Sequence, residues 1–343
     1  MTAHVPVTSL SRRAPTMEDV AREAGVSRAL VSLVMREQPN VSEARRARVL
    51  EVANRLGYRP NAMARSLASR RTRTVGVLLD DLRNPFFGEI AGGVEELASD
   101  LGYQLLLGAG GRQARRERAA LATLLEYRVD GVILVSPRMR AADIAAAAAE
   151  VPVVMVGRQV RGIDADLVII DENHGTELIL DHLVGLGHQR IAHVDGGKGA
   201  GGPQRRSAFL RGMRARRLGA RARVIPGDFT EEAGAAAARV LLAEPELPTA
   251  VFAANDMVAA GLLGGFDQAG VEVPGAISIV GYDNNFIAHL AHVSLTTVDQ
   301  PRSEMGRMAL ELLLDRIDNR RPRVTRLVEP TLVVRSTTAP PRL

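Results

Sequence analysis

Short apolar runs alternate with longer amphipathic stretches from Val75 almost to the C-terminus, and this alternation is the strongest constraint on the fold. The strand-like runs are Val75–Leu79, Tyr103–Leu107, Gly131–Val135, Val153–Val156, Val168–Ile170, Ile191–Val194, Ala250–Ala253 and Ile277–Gly281. Between them lie helical stretches such as Phe86–Leu101, Arg112–Tyr127, Gly175–Leu186, Arg205–Arg217, Glu231–Ala243 and Met257–Ala269. A strand covered by helices on both faces is apolar throughout, so this pattern predicts a doubly wound α/β core with parallel sheets. Residues 74–343 are long for one such sheet, and two lobes are expected.

Ligands of open α/β sheets lie beyond the carboxyl ends of the strands. That rule selects Asp80, Asn84, Asp171, Asn255, Asp256 and Asp283, with Arg206 opening a helix after a glycine-rich loop. Phe86, Phe87 and Phe229 supply rings in a chain that is 3% aromatic and has no Trp. Any one strand-end Asp reads equally well as a helix cap or turn residue, and Phe86 equally well as core. As a set, carboxylates, amides, a guanidinium and flat rings suit a cleft for a sugar. The loop Asp195–Gly202 is no P-loop, because no Gly-Lys-Ser/Thr follows at the required spacing. It reads as a mobile loop at the cleft mouth.

The chain has no Cys, which excludes disulfides, thiolate metal sites and a Cys nucleophile and fits a reducing cytoplasm. No uninterrupted apolar run is long enough to span a bilayer. Residues 1–14, with Pro6, Arg12 and Arg13, lack the apolar core of a secretory signal and read as a disordered tail. His188, His193, His289 and His292 form no metal or catalytic set, and neither cofactor nor metal is expected. Charge is uneven: residues 1–73 carry 14 Arg against 6 acids, whereas the remainder carries 30 basic against 33 acidic residues. Clustered cations at one end suit phosphate neutralisation. Lys198 is the only Lys, so Arg is this chain's default cation and a single Arg carries little information.

The basic end contains three helical stretches. Thr16 with Asp19 resembles a capping box, Val20, Ala21 and Ala24 give the first helix an apolar face, and Gly25 ends it. Ser27 can cap a second helix whose Val31 and Val34 share a face. A third, about Ser42 to Leu56, offers Val49, Val52, Ala53 and Leu56. Ala21, Gly25 and Val31 stand where a helix-turn-helix needs a small residue, a tight turn and a packing residue. Ser27, Arg28, Ala29, Ser32 and Arg36 fall away from the Val stripe, where short and guanidinium side chains suit a major groove. Next, Pro60 breaks the third helix and Asn61 could cap a short one over residues 62–69. Met63 and Leu67 would form an apolar knuckle among basic residues, which reads equally as a minor-groove wedge or as a plain basic linker.

The segment Thr16 to Leu67 resembles the lactose-repressor (LacI) family of bacterial regulators. The resemblance is carried by T-M-E-D-V-A-R-E-A-G-V-S, N-V-S-E and L-G-Y-R-P-N-A-M-A-R-S-L. It continues through N-P-F-F, R-V-D-G-V-I-L, L-G-H-Q-R-I-A, G-Y-D-N and T-T-V-D-Q-P, in order and over nearly the whole chain. It implies a periplasmic-binding-protein-like core with crossovers near residues 171–173 and 299–301. It also implies DNA contacts from Thr16, Ser27, Arg28, Ala29, Ser32, Leu33, Arg36, Asn61, Ala64, Arg65 and Leu67, with Leu67 inserted in the minor groove. Effector contacts are implied for Asn84, Phe86, Phe87, Asp171, Arg206, Phe229, Asn255 and Asp283. The family commonly has T-V-S-R-V-L-N on the recognition helix. Here Leu30, Leu33 and Arg36 replace its Thr, Arg and Asn, so an operator sequence cannot be carried over.

These readings give a tail at 1–14, a DNA-binding head at 15–59, a hinge and linker at 60–73 and an effector-binding, dimerising core at 74–343. Lobe 1 is expected at about 74–171 and 301–328, lobe 2 at about 172–300 and 329–343. The expected function is a cytoplasmic repressor that binds a near-palindromic DNA operator as a homodimer and answers to a small-molecule effector, a sugar or sugar derivative. A transport binding protein would need a signal peptide and no head. An enzyme would need a nucleophile–base pair or a metal set. The C-terminal residues 336–343, with Pro340 and Pro341 and no heptads, predict no coiled-coil tail.

Overall fold

The computed structural model describes residues 15–36, 38–59, 71–320 and 322–342. Two compact units divide between Thr72 and Arg73. In the first, α1 (Met17–Ala24), α2 (Arg28–Met35) and α3 (Glu43–Leu56) enclose a small core. The capping box forms: the Asp19 amide donates to Thr16 Oγ1 at 3.3 Å and the Thr16 amide to Asp19 Oδ2 at 2.9 Å. Gly25 closes α1 in the left-handed region at φ 66°, a conformation that a side chain would strain. Val20, Ala24, Val31 and Val49 are fully buried, with Ala21 and Val34 beside them. Val41, between α2 and α3, joins this core, whereas Leu56 is only half-buried.

The second unit contains two six-stranded sheets. The first runs in the order β11-β5-β4-β3-β1-β2, all parallel. Its strands are β1 (Thr74–Leu79), β2 (Gln104–Ala109), β3 (Gly131–Val135), β4 (Val153–Val156), β5 (Asp166–Ile170) and β11 (Thr325–Val328). The second runs β12-β10-β9-β8-β6-β7 and repeats the topology, except that β12 is antiparallel to β10. It comprises β6 (Ile191–Val194), β7 (Ala222–Ile225), β8 (Ala250–Ala253), β9 (Ser278–Asp283), β10 (Thr296–Asp299) and β12 (Thr331–Val333). Each sheet has an apolar cluster on both faces, which is why β3, β4, β6 and β8 are buried at every position.

The chain passes between the lobes after β5, after β10 and between β11 and β12. After β10 it enters the helix Arg302–Ile317, which packs along the helix Pro85–Asp100 of the first lobe. The helix Arg302–Ile317, the alanine-rich helix Ala141–Glu150 and the strands β7, β10, β11 and β12 lie outside the periodic runs named above. Ala141–Glu150 shows little polar–apolar contrast, and β11 is an edge strand exposed at Thr325, Arg326 and Leu327, so neither offers a buried-strand or helical stripe signal.

The pairing of Arg302–Ile317 with Pro85–Asp100 depends on glycine. A Cβ on Gly93 would fall 2.0 Å from the Ser303 carbonyl oxygen, and one on Gly306 would fall 2.1 Å from that of Ile90. Gly92, one position away, has nothing within 4 Å of such a Cβ. Gly93→Ala is therefore expected to destabilise by about 1–3 kcal/mol. Gly92→Ala is expected to stabilise by about 0.5–1 kcal/mol through helix propensity. Urea unfolding of the two variants checks this, and equal effects would disprove the close-approach account.

Candidate functional site

The carboxyl ends of the strands of both lobes face one cleft with about 610 Å³ of empty space, part of it open to solvent. Asn84, Phe86, Phe87, Phe229, Asn255 and Asp283 all line it. Asn84 and Asn255 do so as helix caps: Asn84 Oδ1 accepts from the Phe86 amide at 3.0 Å, and Asn255 Oδ1 from the Val258 amide at 3.0 Å. Phe86 and Phe87 meet edge to face, their ring centroids 5.2 Å apart, and belong to the apolar core of the first lobe as well as to the cleft wall.

Two candidates lie beside the wall instead of in it. Asp171 caps the helix Glu172–Gly185, accepting from the amides of Asn173 at 3.0 Å and His174 at 2.9 Å. Arg206 is half exposed and donates to Asp195 at 3.0 Å. Their chain neighbours Glu172 and Arg205 line the cleft. Arg205 donates from Nε to Glu172 Oε2 at 2.6 Å, from Nη2 to Oε1 at 3.1 Å and from Nη1 to the Ala254 carbonyl at 2.6 Å. Its guanidinium lies 3.6 Å from the centroid of the Tyr282 ring. One residue along a helix turns a side chain by about 100°, enough to swing it from the cleft to solvent. The Arg205-Arg206 pair gave no sequence cue to choose between them.

The cleft also gathers Arg112, Arg138 and Gln300, which the strand-end rule missed, around Asp80 and Asp283, which it selected. Asp80 accepts from Arg138 Nε at 2.8 Å. Arg138 is braced in turn by Glu117, a buried carboxylate that accepts from the amides of Arg138 at 2.7 Å and Met139 at 2.7 Å. Burial pushes the Glu117 carboxyl above its ordinary value. Arg112 crosses from one lobe to the other, donating to Asp228 Oδ2 at 2.7 Å and to the Asp228 carbonyl at 2.8 Å. Gln300, at a lobe crossing, donates to Asp283 Oδ1 at 2.6 Å. Burial pushes the Asp283 carboxyl up to about 7, against the pull of Arg205, Arg302 and Gln300. Its neighbour Asp256, outside the lining, accepts from Thr297 Oγ1 at 2.6 Å and from the Asn285 amide at 2.8 Å. Burial and the Asp283 charge raise Asp256 as well.

The loop Asp195–Gly202 packs on Phe229. A Cβ on Gly196 would fall 2.2 Å from Phe229 Cζ, and one on Gly199 would fall 2.7 Å from Phe229 Cε2. The glycines leave room for a ring whose own backbone is held at φ 68°.

On the head, Ser27, Arg28, Ala29, Leu33 and Arg36 are exposed along α2, with Thr16 and Ser32 half-buried. Ser27 Oγ caps α2 through the Leu30 amide at 3.2 Å, and Arg36 Nη2 donates to Ser32 Oγ at 2.7 Å. Asn61, Ala64, Arg65 and Leu67 lie outside the described residues.

Residues 16–61 match the model for bacterial regulatory proteins of the lacI family, and residues 180–338 match the periplasmic binding protein-like domain. The HTH-type transcriptional regulator GalR of Escherichia coli K12 is 34% identical over 332 residues, which cover 96% of this chain and 97% of that protein. The chain belongs to the LacI family. Among solved structures, the lac repressor dimer bound to operator and the anti-inducer ONPF superposes with a TM-score of 0.86 at 28% identity, covering 95% of this chain and all of that one. The transcriptional regulator CelR in complex with cellobiose gives 0.69 at 32% identity, with 94% and 99% covered. As a LacI-family member, the protein is a transcriptional regulator and not an enzyme.

Asp283 generates a pH prediction. Its folded-state value near 7 exceeds the ordinary 3.8, so the native state holds the proton more tightly. Its contribution to stability is full below pH 3.8 and is lost as pH rises through about 7. Wild-type protein is expected to lose unfolding free energy between about pH 5 and pH 8, and Asp283→Asn to lose less. Urea titrations at both pH values read this, and identical losses would refute the assignment.

Proposed function

We propose that this protein is a cytoplasmic, dimeric repressor that grips a near-palindromic operator and is controlled by a sugar in the cleft. The observation that carries the reading is one chain holding both an exposed helix-turn-helix face and a cleft lined by polar groups from two lobes. A solved relative that binds cellobiose, and another held on operator DNA with ONPF, support it. Arg28, Arg36 and the hydroxyls of Ser27 and Ser32 supply phosphate and base-edge donors, while Leu33 and Ala29 supply apolar contacts to bases. Leu67 is assigned the minor-groove wedge from the sequence alone, with Asn61, Ala64 and Arg65 beside it on the backbone. The edge strand β2, with Leu107 exposed and Leu105 and Leu106 half-exposed, suits contact with a second copy. Among the described residues, no helix is long and apolar enough to cross a membrane.

The effector acts by changing how the lobes meet. Arg112 with Asp228 joins them at the cleft, and Arg302, donating to Glu89 Oε2 at 2.8 Å and to the Asn284 carbonyl at 2.8 Å, joins them at the crossing. Coupling of this kind is worth about 1–3 kcal/mol, roughly 5–150-fold in DNA affinity.

A gel shift against a palindrome pool and the chain's own upstream DNA tests the reading. Salt-sensitive, sequence-selective retardation that a sugar alters is expected. A folded sample with no such binding disproves it. Arg205→Gln should abolish the effector response, while Arg206→Gln should leave it within about twofold, because only Arg205 lines the cleft. The reverse outcome would restore Arg206 as the contact.

A further inference from the structure

The charges facing the cleft are compensated inside the protein. Arg112, Arg138 and Arg205 line it together with Asp80, Asp81, Glu172 and Asp283. Arg205 is held bidentate by Glu172, Arg138 by Asp80, and Arg112 by Asp228. The wall therefore presents no excess of positive charge.

The helix N-termini around the cleft are compensated as well. A bare N-terminus is a ready anion site. Here the helices opening at Pro85, Glu172 and Asp256 are each capped by a side chain, from Asn84, Asp171 and Asn255. The helix opening at Gly202 lacks a side-chain cap, but Glu172 stands against it: a Cβ on Gly201 would fall 2.4 Å from Glu172 Oε1.

We propose that the effector is an uncharged polyol, a neutral sugar ring, and that its phosphorylated or carboxylated counterparts are excluded from the cleft. The proposal rests on the sugar reading given above. A phosphate ester brings about 1.5 to 2 negative charges. That charge would enter a wall whose guanidinium groups are already balanced by carboxylates, and it would lie close to Asp80, Asp81, Glu172 and Asp283, which repel it. A neutral ring meets no such repulsion. Its hydroxyls donate to Asp283, whose hydrogen-bond partner in the protein is the neutral amide of Gln300, and accept from guanidinium N–H groups not used in the ion pairs. Phe229 covers an apolar ring face.

Thermal shift and calorimetry on the full-length protein, with matched pairs, test this. Suitable probes are ribose with ribose 5-phosphate, galactose with galactose 1-phosphate and glucose with both glucose 6-phosphate and glucuronate, alongside cellobiose, adenine and hypoxanthine. At least one neutral sugar should bind, and its anionic partner should bind at least about tenfold more weakly. Preference for a phosphorylated or acid sugar overturns the inference and leaves the sugar reading intact. A response to a nucleobase alone overturns the sugar reading. A panel in which nothing binds overturns both.

Discussion

The Arg205–Glu172 pair is the interaction on which the cleft depends. Glu172 is the first helical residue after the chain crosses from β5, and Arg205 lies in the first turn of the helix that follows β6. The same guanidinium takes the Ala254 carbonyl just after β8 and lies on the ring of Tyr282 near the end of β9. One buried charge thus ties together the carboxyl ends of strands that are far apart in sequence. Removing one partner of such a pair typically costs about 3–5 kcal/mol, because the other is left charged and buried. Three polar or aromatic partners around one cation fix its position far more tightly than rotamer preference alone.

The lobe crossings give this arrangement its reach. The helix Arg302–Ile317 leaves the second lobe at β10 and lies against the first, and Gly93 and Gly306 let the two backbones touch. Arg302 sits at that crossing and reaches Glu89 on one side and the Asn284 carbonyl on the other. Asn284 follows Asp283, and both have positive φ, at 54° and 112°. Strained backbone beside the cleft is thereby connected to the element that joins the lobes. A change at Asp283 has a short mechanical path to the packing of Arg302–Ile317.

Much of this was legible in the sequence because parallel sheets write themselves as uninterrupted apolar runs. β3, β4 and β8 are examples, and the strand-end rule then reached Asn84, Asn255 and Asp283. Legibility ended where the signal is rotational. Arg205 and Arg206 are chemically identical neighbours, and only the helix phase says which faces Glu172. It also ended where partners come from distant segments. Arg138 is placed by Glu117 and paired by Asp80, and Arg112 pairs with Asp228 in the other lobe. The glycine-rich loop was read at the cleft mouth, and Gly199 and Ala200 do line the cleft, but nothing local shows that Gly196 and Gly199 pack on the Phe229 ring 30 or so residues away. In the head, Thr16, Gly25 and Val31 are read by local rules of capping and turn geometry, so that unit was the most legible.

The distribution of acids explains why a ligand would bias closure at all. Asp80 and Asp81 belong to the first lobe, Glu172 and Asp283 to the second. Bringing the lobes together brings like charges toward one another in a medium of falling dielectric, which opposes closure. Pairing with Arg138 and Arg205 relieves most of that, and the raised affinity of Asp283 for a proton relieves more. What remains is a carboxyl that does best with a hydrogen-bond donor in front of it. On the proposal of a neutral sugar, a hydroxylated ring between the lobes would supply donors to both walls without adding charge, and so would favour a closed arrangement over an open one. A ligand shifts a conformational equilibrium only by its differential affinity for the two states. Under the reading proposed above, that difference would arise because Asp80 and Asp81 stand on one lobe and Glu172 and Asp283 on the other.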